Sequence, residues 1–219
     1  MKHKILVVCC AAIVLFSCNS ETKDAKTENI DTTAVKADDV KKEEAWVAVD
    51  SATEMKAWME YATPGEPHKA LASSNGTWVG EVTSWMKKDA PPVTSTSTMT
   101  NRMAMDGRYQ LSDFKGSFMG MPFNGMSITG YDNAKKKFVS TWIDNMGTGL
   151  MNMEGTWDEA TKSMNMTGKM TNPANGKECQ MREVFKMVDE NTQLMEMYGP
   201  DSQTGKEYKT MEIKLTRKK

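Results

Sequence analysis

Cysteine, histidine and long apolar runs are all scarce in this chain, and each scarcity removes a class of function. Four cysteines occur in 219 residues, and Cys9, Cys10 and Cys18 crowd the first eighteen positions. Cys179 stands alone in the remainder, so no intramolecular disulfide framework is expected there. A lone cysteine of this kind reads as a small packed residue. The two histidines are His3 and His68. A single imidazole beyond residue 3 excludes multi-histidine metal centres and any triad that needs a second histidine. Charge imbalance is also small, at a formal net charge of −1, which selects neither nucleic acid nor acidic lipid as a partner. The glycine-bearing stretches Asn124-Gly125 and Asp144-Asn145 through Gly149 lack phosphate-loop spacing and lead into no helix. No serine elbow, paired-cysteine motif or metal-ligand cluster occurs, so no cofactor or metal is expected.

The one marked apolar run, Ile5 to Phe16, is too short to span a bilayer. It follows Lys2 and Lys4 and closes on Leu15-Phe16-Ser17-Cys18, which reads as a lipobox. Residues 1–17 are then a signal peptide, and Cys18 becomes an acylated first residue anchored in a membrane. Each buried methylene contributes about 0.8 kcal/mol, so three acyl chains hold firmly. The expected address is the bacterial cell envelope, outside the cytoplasmic membrane. Loss of Lys2 and Lys4 with the signal moves the charge from −1 to −3. Residues 18–50 are rich in Lys, Asp, Glu, Thr and Ala, and bury too little apolar surface to offset the ordering of their backbone. They are expected to be a flexible tether reaching about 30 Å. Residues 51–64 read as an amphipathic helix: Ser51 and Glu54 make a capping box, and Met55, Trp58, Met59 and Ala62 share one face. Pro64-Gly65 stops it. That face is expected to pack on the main domain.

From Gly76 the apolar period changes to two. Ten strand-like runs follow: Thr77–Met86, Thr94–Met105, Arg108–Phe114, Met121–Tyr131, Lys137–Asp144, Leu150–Trp157, Ser163–Met170, Glu178–Val188, Gln193–Tyr198 and Glu207–Arg217. Turn residues such as Asp106-Gly107, Asp132-Asn133 and Gly199-Pro200 punctuate them. Short connections imply antiparallel pairing, and a sheet of about ten strands avoids exposed edges by closing on itself. Residues 65–219 are therefore expected to be an all-β, ten-stranded antiparallel barrel.

Methionines recur two apart at Met103/Met105, Met151/Met153, Met164/Met166 and Met195/Met197, while Arg102, Asn152, Glu154, Asn165 and Lys169 hold the opposite faces. The methionine face is thus assigned to the interior. Parity places Met211, Ile213, Leu215 and Arg217 together, likewise Met181, Glu183, Phe185 and Met187, and likewise Phe138, Ser140, Trp142 and Asp144. Three readings of the thioether lining stand side by side: packed core, plastic apolar cavity, and a soft-ion site of the Cu(I) type. The last needs sulfurs from neighbouring strands to converge, because those on one strand lie about 7 Å apart.

Gly76-Thr77-Trp78 on the first strand, with Arg217 on the last, resembles the Gly-x-Trp and terminal-arginine pair of the calycins, the lipocalins and fatty-acid-binding proteins among them. That resemblance implies that Arg217 stacks on Trp78 and closes the barrel end. Pro67-His68, Met105-Asp106-Gly107-Arg108, Gly130-Tyr131-Asp132, Trp142-Ile143-Asp144 and Thr216-Arg217-Lys218 resemble the bacterial family called domain of unknown function 1579, over residues 64–219. The family resemblance implies a calycin-like barrel and no particular activity. Nitrobindin, a haem-binding relative, takes its iron ligand from a late histidine, which this chain lacks after His68.

The reading adopted is a lipid-anchored barrel that holds a small, mainly apolar molecule. Met103, Met105, Trp142, Met151, Met153, Met164, Met166 and Phe185 would line the cavity, and Asn101, Asp144 and Glu183 would orient the guest. An enzyme using Asp144 as general acid or base, and a structural envelope protein with a filled barrel, are the alternatives.

Overall fold

The computed structural model describes residues 45–219. The expected signal peptide, Cys18 and most of the tether lie outside the described residues. Two helices, α1 (Ser51–Ala62) and α2 (Glu66–Ser73), precede ten strands. These are β1 (Gly76–Ser84), β2 (Val93–Ala104), β3 (Tyr109–Phe118), β4 (Met121–Asp132) and β5 (Lys137–Asp144). β6 (Met151–Asp158), β7 (Ser163–Thr171), β8 (Glu178–Asp189), β9 (Thr192–Pro200) and β10 (Glu207–Arg217) complete the set. Every strand pairs antiparallel with its sequence neighbour, and β1 pairs with β10, so the sheet closes as a ten-stranded up-and-down barrel. Closure leaves no edge to blunt.

Two classes of residue make this geometry. The alternating runs give each strand one inward face, where Trp78, Met99, Phe114, Met195, Ile213 and Leu215 pack together. A second group of Leu71, Phe138, Met153 and Met166 packs at the α2 end. Glycine appears where strands must approach too closely for a side chain. A Cβ on Gly155 would lie 1.8 Å from the Asn165 carbonyl oxygen across β7, and one on Gly125 would lie 2.3 Å from the Trp142 ring. The outer face of β8–β10 is held by charge. Arg182 stacks 3.6 Å over the Tyr198 ring and makes a two-pronged contact with Glu207. Lys209 bridges Glu196 and Glu212, and these two carboxylates hold its ammonium well above the usual lysine range.

Four expectations need correction. First, α1 is capped by Asp50, whose Oδ1 accepts from the Ala52 and Thr53 amides, rather than by a Ser51–Glu54 box. Second, its apolar face does not pack on the barrel: Met55, Trp58 and Met59 are all more than 60% exposed. The barrel instead holds the C-terminal end of α1 by capping. Asn133 Nδ2 donates to the carbonyls of Tyr61 and Thr63, and Arg108 Nε donates to that of Ala62. Third, Met105 is not a strand residue. β2 ends at Ala104, and the hairpin that follows takes positive φ at Met105, Asp106 and Gly107 (51°, 55° and 83°), leaving Met105 71% exposed. Its spacing from Met103 continues a period that the backbone has already abandoned.

The fourth correction is the second helix, α2, in what was expected to be barrel from residue 65 onward. Pro67 sits in its first turn, where a missing N–H costs nothing. His68 Nδ1 accepts from the Gly65 amide at 3.0 Å and so caps the start. His68 and Leu71 are buried, facing β2, β3 and β4.

Candidate functional site

α2 and β1 together seal one end of the barrel through main-chain carbonyls that need donors. The last carbonyls of a helix have no partner within it. Here Gln110 Nε2 donates to Leu71 O at 2.6 Å, and Trp78 Nε1 and Asn101 Nδ2 both donate to Ser74 O. Arg217 finishes the seal. Its guanidinium donates to the carbonyls of Ser73, Asn75 and Glu190, and lies 4.2 Å over the Trp78 ring. Trp78 is fully buried beneath it. The pair therefore ties the first strand, the last strand and the helix to one point. His68 packs edge-on against Tyr131, and its burial pushes the imidazole below the usual histidine range.

Beyond this seal the barrel is hollow, with a cavity of about 1000 Å³. That volume lies at the upper end of sites that enclose a small molecule, roughly 300–1,000 Å³. Nine of the eleven residues expected to meet a ligand line it: Asn101, Trp142, Asp144, Met151, Met153, Met164, Met166, Glu183 and Phe185. Met103 faces inward but packs into the group around Leu71 and Phe138. Met105 is outside, at the hairpin tip. Sequence reasoning missed Phe114 and Met99, whose inward parity was legible, and the α2 residues Ala70 and Leu71, whose helix was not.

The two halves of the wall differ in chemistry. β2 to β5 supply Ser97, Asn101, Ser112, Ser127, Thr129 and Ser140. β6 to β10 supply Met151, Met153, Met164, Met166, Met187, Met195, Met197 and Met211, with Thr156 and Glu183 as the polar exceptions. The hydroxyl half partly satisfies itself, as Thr129 and Ser140 bond across β4 and β5 at 3.0 Å. Aromatic rings stiffen the same half: Trp142 meets Phe114 edge-on at 5.2 Å and stacks on Phe123 at 6.2 Å.

The two inward carboxylates have opposite surroundings. Asp144 is committed at both oxygens, Oδ2 accepting from Trp142 Nε1 at 2.7 Å and Oδ1 from the Met146 amide at 2.8 Å. It fixes the indole and starts the turn after β5, which makes it a positioning group. Among the described residues, Glu183 has no hydrogen-bond or ion-pair partner. Its cross-strand neighbours are Met166 on β7 and Met197 on β9. Burial among these thioethers pushes its carboxyl up to about 7 from an ordinary value of 4.5. Two further acceptors are unsatisfied here: Asn101 Oδ1 and Ser97 Oγ are both buried without a partner.

Comparison with known proteins adds a fold likeness and a family. The barrel is similar to that of the S-type phycobiliprotein lyase CPES from Guillardia theta, at 8% sequence identity and a TM-score of 0.49. The superposition covers 74% of this chain and 97% of that one. No curated protein matches the sequence. Residues 63–217 match the model of DUF1579, described as a protein of unknown function, and the chain belongs to that family.

Proposed function

We propose that this is a lipid-anchored protein of the bacterial envelope whose barrel lumen binds a small, mainly apolar molecule. The observation that supports the binding role is the lumen cavity of about 1000 Å³ with a predominantly thioether, aromatic and aliphatic wall. Methionine suits such a wall because its unbranched, polarizable side chain reshapes around different guests. A filled structural barrel would bring those side chains into mutual contact instead of around an open lumen. The enzymatic alternative rested on Asp144, and both of its oxygens are already used in holding Trp142 and the turn. Binding is therefore the favoured role, with Trp142 and Phe185 as apolar contacts and Glu183 and Asn101 as orienting groups. Membrane attachment runs through acylated Cys18, and nucleic acid has no part in the reading.

Titration of the full chain with Nile red, a neutral dye that brightens in apolar surroundings, tests the lumen. Saturable binding at one site per chain is expected, lost on Met166→Arg in protein that remains folded by circular dichroism. Absence of saturable binding overturns the reading. Native mass spectrometry of protein from its own host would then show which small molecule travels with it. Attachment is tested separately: Cys18→Ser should release the protein from membranes and abolish incorporation of a labelled fatty acid.

A further inference from the structure

Two of the lumen's unpaired polar groups, Asn101 Oδ1 and ionised Glu183, carry no donor. Asn101 Oδ1 can only accept a hydrogen bond, and the Glu183 carboxylate only accepts when ionised. Ser97 Oγ can also accept. A guest made only of hydrocarbon, or one carrying only acceptors, would leave Asn101 Oδ1 and the Glu183 carboxylate unpaired and cut off from water, which is costly. A guest with a donor relieves them. Asn101 is 5% exposed, with its amide nitrogen already donating to Ser74, so its oxygen is fixed in orientation. Glu183 stands on β8 between two methionine-bearing strands, with nothing cationic beside it. The inward residues facing it are Met164 and Met166 on β7 and Met195 and Met197 on β9. The other titratable groups at the cavity wall are Asp144 on β5, Tyr131 on β4, Glu66 on α2 and Lys136 after β4. Asp144 is bonded to Trp142 and Met146, Glu66 is paired with Lys69, and Lys136 makes no ion pair with Glu183.

We propose that the ligand is a cationic amphiphile: an apolar body bearing one protonated amine, with the ammonium seated on Glu183 and the body against the thioether wall. This rests on the lumen being a binding site and narrows it to a substrate class. An ammonium supplies both the donors and the opposite charge that Glu183 lacks, and such a charge-assisted bond is strengthened where water is scarce. A neutral alcohol supplies a donor without the charge, and a fatty acid brings a second carboxylate into an already acidic lumen. The order of preference is therefore amine, then alcohol, then acid.

The test displaces Nile red from the full chain with n-octylamine, 1-octanol and octanoate, which share one chain length. At pH 8 octylamine should displace the dye at a concentration at least tenfold below that of octanol, with octanoate weakest. At pH 5.5 Glu183 takes up its proton while the amine stays charged, so the preference should fall below threefold. Glu183→Gln should show the same loss at pH 8, read as the ratio of octylamine to octanol displacement within the variant. Glu183→Met, which merely continues the wall between Met166 and Met197, serves as the second variant. Equal displacement by amine and alcohol at pH 8, or an undiminished preference in both variants, overturns the proposal. Failure of wild-type protein to bind Nile red at all overturns the cavity reading itself, a different outcome from dye binding without amine preference.

Discussion

Replacing Glu183 by Gln should make the ligand-free protein more stable, by a margin that grows as pH rises from about 4.5 and levels off above about 7. The folded-state carboxyl titrates near 7 and the unfolded one near 4.5. Between those values the folded chain binds the extra proton, so stability falls as pH rises. The contribution is fully present below 4.5 and lost as pH passes through about 7. At about 1.4 kcal/mol per pH unit, the gap amounts to roughly 3 kcal/mol at pH 8. Water entering the lumen screens the charge, so about 2 kcal/mol is the conservative expectation. Glutamine is nearly isosteric and never ionises, so it escapes this cost. Urea denaturation of both proteins at pH 5, 6, 7 and 8 measures the effect. With a slope of about 2 kcal/mol/M, the variant's midpoint should lie roughly 1 M above wild type at pH 8 and converge toward it at pH 5. His68 adds a pH dependence of the opposite sign. Its depressed value means that stability declines as pH drops through 6.5, but the term is common to both proteins and cancels in the difference. A difference that is flat from pH 5 to 8, or a variant less stable at pH 8, would refute the account of Glu183 as an unpaired, half-buried carboxyl facing an apolar lumen.

The barrel seal and α1 make two further predictions. Arg217→Ala removes three donated hydrogen bonds and the stack on Trp78, and should cost about 2–3 kcal/mol in urea denaturation. Arg217→Lys should recover less than half of this, because one ammonium cannot reach three carbonyls and cover the indole; full recovery would reduce the role of Arg217 to charge alone. Trp58→Ala should change stability by less than about 0.5 kcal/mol, since the ring is 61% exposed and covers no core. A loss above 2 kcal/mol would mean that α1 packs on the barrel in solution.

The barrel was legible because period-two alternation is a local property. Met164 and Met166 announce their shared face from spacing alone, and Asp106-Gly107 announces its turn. Other features depend on relations that spacing does not carry. Glu66–Ser73 holds one large apolar residue, Leu71, so eight residues give no periodic signal, and Pro67 reads as a helix breaker when it is a helix starter. The apolar stripe of α1 is real, but a stripe says nothing about what covers it; here the anchoring is polar, through Asn133 and Arg108. Met105 shows the converse, a spacing extended one residue beyond the strand that justified it.

The two lumen acids show the same division within the site. Parity put Asp144 and Glu183 on the inward face alike, yet their chemistry is set by neighbours that parity cannot rank. Asp144 follows Trp142 by two residues, so both point inward and the indole N–H reaches the carboxylate. Glu183 has Met181 and Phe185 at the equivalent positions and Met166 and Met197 across the ladder, none of which donates a hydrogen bond to it. One acid is spent on structure and the other is left charged, or nearly so, against sulfur. A carboxyl that destabilises the empty fold at pH 8 conflicts with everything the rest of the lumen does for folding. Such local conflicts are expected where a protein binds something, because the missing partner belongs to the ligand.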